Sequence, residues 1–396
     1  MIIMQKKPGP KPMPTKKERR LYKEAAEKKI LTILSMNGRA SFNLIGSMLG
    51  IDRTAAYRKV KAVERKYNIR YIAEIDVEKL GFLKFMILAK FPGKAPDYSK
   101  VKEAAESFPQ IQFAFALEGG EYQYIFYALS ETNLNAIKLT MQLHSRFGEY
   151  ECEFYTVPFY ETYNFVPLRD EFIDMLKERI SKRQKGITTA KGESMLQREF
   201  AVLKELNKDG SAEFSDIDKK YGFDMGRSQY SYYRLLQKGL IKRITITMDA
   251  PLKYIGVIFM KITRFGKFSM TRARLLNNII SEKKGPLNRY LLVGDINAPN
   301  GVIFFAPCTE EGELEDYRKS LEAVKGTTVT TSIIAKRIVG DMCFRRFDNA
   351  YSEQEKVLEE EFKIKTKEKT DYSLLKSAAE QEKELIIDLK ELKNKN

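Results

Sequence analysis

Chemistry in this chain concentrates where cations, hydroxyls and rings recur at helical spacing. Between residues 53 and 65, Arg53, Thr54, Tyr57, Arg58, Lys61 and Arg65 share one side of a helix whose other side carries Ala56, Val60 and Val63. Arginine bridges guanine O6 and N7 or clamps a phosphate, lysine binds phosphate as a point charge, and Thr and Tyr donate to phosphate or touch thymine methyl groups. A solvated basic helix has the same composition, so its surroundings must decide between the two. Groups for other chemistry are scarce. His144 is the single histidine, Cys152, Cys308 and Cys343 show no CxxC spacing, and neither GxxxxGK[ST] nor GxGxxG occurs. The expectation is therefore no catalytic residue, no metal, no cofactor and no enzyme. His144 reads as a structural or surface residue, and the cysteines as small hydrophobes.

The whole chain is basic. Its 396 residues carry 69 Lys plus Arg against 53 Asp plus Glu, a net charge of +16, which predicts a polyanionic partner. The length suits two to three domains. No apolar run approaches the ~18 residues of a membrane span, so a soluble, cytoplasmic protein without a membrane partner is expected. Residues 1–20 hold a net charge of +6 threaded with Pro8, Pro10, Pro12 and Pro14; such a segment cannot form a core, and reads as a disordered basic arm that either solubilises the chain or follows a DNA backbone. Residues 346–396 form a charged helical segment with a narrow apolar face, suited to packing or to a partner helix.

The elements that position the basic face occur twice. At an offset of 172, Ile45 matches Ile217, Gly50-Ile51-Asp52 matches Gly222-Phe223-Asp224, Val63 matches Leu235, and Ile69 and Ile72 match Ile241 and Ile244. At 174, Phe85, Met86, Leu88 and Phe91 match Phe259, Met260, Ile262 and Phe265, and Gly120-Glu121 falls on Gly294-Asp295. Two diverged copies of one unit explain this order. In the first, a helix over 21–35 closes at Asn37-Gly38, a second runs from Ser41 to Gly50, and Asp52 caps a third through about Lys66. With a strand pair about 69–75, this is a winged helix-turn-helix. Residues 82–165 then alternate as βαββαβ, a ferredoxin-like order. The second copy repeats it with 254–264, a helix at 271–281, strands at 289–293 and 302–306, a helix at 313–324 and a strand at 328–338. The expected fold class is α+β: winged helix-turn-helix domains at 21–80 and 195–251, ferredoxin-like domains at 81–183 and 252–345, and a linker at 184–194.

The stretches Lys29-Ile30-Leu31 to Leu34, Gly38-Arg39-Ala40-Ser41, Ile51-Asp52-Arg53-Thr54-Ala55-Ala56-Tyr57-Arg58-Lys59-Val60 and Asp76-Val77-Glu78-Lys79-Leu80-Gly81 resemble the signatures of the Lrp/AsnC family of transcription regulators. The first copy is similar over about 130 residues; the second is linked mainly through the repeat. The resemblance implies a sequence-specific double-stranded DNA-binding regulator whose partners are a promoter or operator and, beyond it, a basal transcription factor or RNA polymerase. It also implies a covalent pseudo-dimer, two of which could associate as a homodimer. The DNA-binding residues expected are Arg39, Arg53, Thr54, Tyr57, Arg58, Lys61 and Arg65, with Arg227, Gln229, Tyr230 and Tyr233 on the weaker second face. The family's hairpin near Gly119-Gly120-Glu121-Tyr122-Gln123 implies an effector site at Gly120, Tyr122 and Gly294. Its usual aspartate is Gln123 here, so amino-acid sensing is not carried over. Two other classes stay open: a nucleoid-architectural DNA binder, and a sirohaem-type tetrapyrrole decarboxylase, disfavoured because that chemistry uses histidines.

Overall fold

A computed structural model describes residues 16–163, 166–184, 195–248, 253–262, 292–296, 301–308, 310–323 and 327–340. Three helices, α1 (Lys16–Met36), α2 (Phe42–Leu49) and α3 (Arg53–Tyr67), lead to β1 (Arg70–Ile75). Then come β2 (Leu83–Lys90), α4 (Tyr98–Glu106), β3 (Ile111–Glu118), β4 (Tyr124–Ser130), α5 (Asn133–Ser145), β5 (Glu153–Tyr163) and α6 (Asp170–Gln184). The second half has α7 (Gln197–Lys208), α8 (Phe214–Tyr221), α9 (Arg227–Gln237) and β6 (Ile241–Thr247). It ends with β7 (Tyr254–Ile262), β8 (Leu292–Ile296), β9 (Gly301–Cys308), α10 (Glu313–Glu322) and β10 (Thr327–Val339). The fold is mixed α+β with antiparallel sheets.

Two expectations at the ends change. Helix α1 starts at Lys16, inside the segment read as an arm, because Lys16-Lys17-Glu18-Arg19-Arg20 are good helix formers beyond the last proline. Residues 1–15, the C-terminal segment 346–396, the helix expected at 271–281 and linker residues 185–194 lie outside the described residues. Helix α6 is additional to the expected elements, although Phe172, Ile173 and Leu176 mark its buried face.

The wing also differs from expectation. Each three-helix unit carries one strand, not a strand pair, and the two strands pair with each other: β1 runs antiparallel to β6 from Arg70 opposite Thr247 to Ile75 opposite Ile241. After Ile75 the chain turns through Asp76–Leu80 instead of reversing, so no local partner forms. The ribbon serves each half with the other's residues. Ile246 and Met248 of the second half complete the core built by Ile30, Leu34, Ile45, Ala56, Val60 and Val63. Ala73 and Ile75 of the first half join Phe200, Leu203 and Leu235. Two glycines related by the 172 offset let the helical turns reach it. Gly38 N–H donates to Ile244 O and Gly210 N–H to Tyr71 O, each at 2.8 Å. A Cβ on Gly38 would stand 3.0 Å from Ile244 Cγ2, and one on Gly210 2.9 Å from it.

Beyond the ribbon the eight remaining strands close into a barrel in the order β10-β3-β4-β2-β5-β8-β9-β7. Each half contributes four strands in ferredoxin-like order, and the fourth strand of each pairs with the second of the other, β5 with β8 and β10 with β3. Met86, Leu88, Phe113, Phe115 and Tyr127 meet Val257, Ile303 and Phe305 inside. Ile87 and Phe126 face α4 and α5, and Ile258 and Phe304 face α10. Ile87 pairs with Phe126 as Ile258 pairs with Phe304. The first strands therefore correspond at an odd offset, not the expected 174. The odd difference matters because a one-residue slip exchanges the two faces of a strand. Likewise Gly294-Asp295 is no hairpin: Gly294 lies within β8, opposite Thr162 of β5 and Ile303 of β9.

If the ribbon is shared in this way, Ile246→Ala should destabilise the first three-helix unit by about 2–4 kcal/mol, although the residue stands far beyond that unit in the chain. Denaturant unfolding with hydrogen exchange checks this: protection should be lost in α1–α3, and loss confined to α7–α9 would contradict it.

Candidate nucleic-acid interface

The third helix of the first unit is built to hold a basic face outward. Ala55 N–H donates to the Asp52 carboxylate at 2.9 Å, which caps its start, and Asn68 at φ +45° ends it. Gly46 makes the preceding turn tight, since a Cβ there would stand 2.7 Å from Ile51 O. Ala56, Val60 and Val63 are buried, as their spacing predicts. Arg53, Thr54, Arg58 and Arg65 are exposed, and Tyr57 is 47% exposed with its ring edge-on to Phe42 at 5.1 Å. Lys61 is half-buried and paired with Glu64 at 2.7 Å. Lys59, outside the set expected from sequence, is also exposed on this helix.

Opposite numbers in the second unit tell how the two faces diverged. Ser228, Tyr232 and Leu235 are buried where Ala56, Val60 and Val63 stand. The first-half cations Arg53, Arg58, Lys59, Lys61 and Arg65 correspond at the same offset to Met225, Tyr230, Ser231, Tyr233 and Gln237. Met225 is 92% exposed and lies before α9, which begins two residues later than the offset requires. The reason is local: Asp218 replaces Gly46, and its carboxylate accepts from Gly226 N–H and Ser228 N–H, both at 2.8 Å. The cap thus reaches across from α8, and the first turn of the recognition position is unwound. Of the expected contacts, Arg227 pairs with Asp224 at 3.6 Å, and the Gln229 amide donates to the Tyr233 hydroxyl at 3.4 Å. Tyr230 is 38% exposed, and half-buried Tyr233 lies against Tyr232 at 5.7 Å.

One ion pair survives in both halves. Glu27 accepts from Lys66 at 2.5 Å, and Glu199, fully buried, pairs with Lys238 at 2.7 Å at the same offset. Arg234 adds a second cation to Glu199 at 3.0 Å where the first half has Ala62. Its guanidinium is thereby committed inside the unit.

Arg39 departs from its expected role. Its Nη2 donates to Ala212 O at 2.6 Å, and its guanidinium lies 4.2 Å above the Phe214 ring and 5.6 Å from that of Tyr232. It fastens the first unit to the second rather than standing with α3, and burial pulls its pKa down. The effector residues are also structural in placement. Gly120, at φ +78°, faces β10 so closely that a Cβ would meet Ser332 Oγ at 2.3 Å. Tyr122 lies 5.5 Å from Phe259 and 6.0 Å from Tyr155. Gln123 Oε1 accepts from Phe91 N–H at 2.6 Å, which occupies the position of the missing aspartate. Gly294 stands apart from this hairpin in β8. His144 is exposed, 5.6 Å from Phe154. Among the described residues no three His, Cys, Asp or Glu groups could hold a metal ion, and no helix is long and apolar enough to cross a membrane.

No protein-family model matches the sequence. An 88-residue stretch is 36% identical to the HTH-type transcriptional regulator LrpA of Pyrococcus abyssi, and equally to that of Pyrococcus horikoshii. The match covers 22% of this chain and 60% of each regulator. Among solved structures, the siroheme decarboxylase NirDL aligns over 84% of this chain and 99% of its own, with a TM-score of 0.54 and 10% identity. At that identity the likeness is one of fold. It nonetheless overturns the expectation that the chain is not an enzyme: the two-unit architecture is one an enzyme uses, and counting histidines does not remove that class.

Asp218 supplies a pH signature. Burial alone would raise its pKa, but hydrogen bonds from Ser228 and Gly226 outweigh it and hold the carboxyl below the ordinary value. Its contribution is therefore full above the unfolded pKa of about 4 and is lost as pH falls through the lowered folded value. Asp218→Asn should be less stable than the parent at pH 7, with the two unfolding curves converging in acid. A gap that is constant with pH would contradict this.

Proposed function

We propose that this chain, whose kinship is with the Lrp/AsnC family, is a sequence-specific regulator that places α3 in the major groove of duplex DNA while α9 does not read DNA equivalently. The observation that carries the reading is the fate of one helix face in two copies: exposed Arg53, Arg58, Lys59 and Arg65 in the first, and no cation at any matching position in the second. The shared ribbon and closed barrel support a covalent pseudo-dimer, a fused pair of one unit. A symmetric pair of helices usually imposes a palindromic operator; unequal ones do not. A basal transcription factor or RNA polymerase is the protein partner this reading calls for.

A second reading is favoured by the near whole-chain likeness to siroheme decarboxylase: an enzyme acting on a tetrapyrrole. A purified protein that takes up the coloured macrocycle and releases carbon dioxide, but leaves duplex DNA unshifted, decides for it. Competition against bulk DNA separates a regulator from an architectural binder, since specific regulators prefer their site by ~10³ or more.

Arg58→Ala with Lys61→Ala should weaken operator binding about 10- to 100-fold and lower the salt slope by about 1 for each phosphate no longer neutralised. Tyr230→Ala with Tyr233→Ala should change it less than about threefold. Salt-dependent titration of a selected site measures both, and equal losses from the two pairs would sink the reading.

A further inference from the structure

A cleft borders the second three-helix unit. It has a volume of about 770 Å³ and opens between α6, the start of α7 and the end of α8, a size typical of small-molecule sites. Leu196 and Phe200 line its apolar part, and Tyr221 and Phe223 form an aromatic wall with rings stacked at 5.7 Å. The Tyr221 hydroxyl donates to Glu205 at 2.7 Å, which fixes the ring. Lys177 and Arg198 bring positive charge to the lining, and Arg198 Nε is buried without a hydrogen-bond partner among the described residues. Lys204 also lines the cleft but is paired with Asp174.

The copy-to-copy comparison identifies this as an addition rather than part of the scaffold. At the 172 offset Arg198, Lys204, Tyr221 and Phe223 correspond to Ala26, Thr32, Leu49 and Ile51. The first helical unit packs with that second set, so the cations and rings are not needed to fold one. The half whose α9 unit has no cation at the positions of Arg53, Arg58, Lys59, Lys61 and Arg65 carries cations and rings here.

We infer that this cleft binds a small planar anion, an aromatic or heteroaromatic acid whose ring lies against Tyr221 and Phe223 and whose acidic group pairs with Arg198 and Lys177. A flat ring gains dispersion contact along the stacked wall. A carboxylate, sulfonate or phosphate supplies an acceptor for Arg198 where it lines the cleft, and charge-assisted bonds of this kind are about twice as strong as neutral ones. Because the lining comes from α6 as well as α7 and α8, an occupant bridges the barrel-side helix and the second helical unit. The inference is independent of DNA binding, so the failure of either leaves the other standing.

The chain contains no tryptophan, so Phe223→Trp places a single indole in the wall. Titration of that variant with anilinonaphthalene sulfonate should quench or shift indole emission saturably at one equivalent. The uncharged phenylnaphthylamine should bind at least ~10-fold more weakly, and adding Arg198→Ala should cost the sulfonate a comparable factor. Lys177→Ala, at an exposed position, is the second variant and should weaken binding about threefold or more with an unchanged melting midpoint. Emission unaffected by saturating dye, or equal binding of charged and uncharged dyes in parent and Arg198→Ala, overturns the inference.

Discussion

The antiparallel ribbon of β1 and β6 is the constraint on which the rest of the structure depends. A single strand beside three short helices leaves half its backbone groups unpaired, and buried unpaired groups are costly. Here the partner is the equivalent strand of the other half, paired from Ile75 opposite Ile241 to Arg70 opposite Thr247. Because Ile246 and Met248 fill the first unit's core while Ala73 and Ile75 fill the second's, neither helical unit is complete alone. Gly38 and Gly210 serve the same contact, since a Cβ at either would crowd the ribbon where each turn donates its N–H. Arg39 adds a lock between the units through Phe214 and Ala212.

Such coupling frees the two halves to diverge. The ribbon and barrel need matched strands, and they keep them; the outer helix faces contribute nothing to that match. Asp218, where the first half has Gly46, caps the start of α9 from α8; α9 begins two residues late, and Met225 stands where Arg53 would. The two cations gained on α9 are both paired, Arg227 with Asp224 and Arg234 with buried Glu199. These changes leave the α9 face without the exposed cations that α3 carries at the matching positions.

Much of this was legible in the sequence, and what was missed has physical causes. The buried set Ala56, Val60 and Val63 and its counterparts followed from helical periodicity, which depends only on local geometry. The Asp52 cap was likewise local. Strand pairing is not local: a mostly apolar strand buried on both faces, such as β2, carries no alternation to fix its register, so the sequence match falls on an even offset where the strand faces require an odd one. The ribbon was read as two separate wings for the same reason. The expectation that Arg39 contacts DNA rests on the family-like stretch Gly38-Arg39-Ala40-Ser41, and nothing near it in sequence announces Phe214. The exclusion of enzymes failed because residue counts describe side-chain chemistry, whereas the likeness to an enzyme lies in the backbone.

The central claim is that one helical unit reads DNA and the other does not read it equally. Selection of preferred duplexes from a random pool, followed by hydroxyl-radical and guanine-interference footprinting, tests it most directly. The account predicts a single asymmetric site with base contacts confined to one major-groove face. Two equal half-sites in inverted repeat, about one helical turn apart and equally protected, would contradict it.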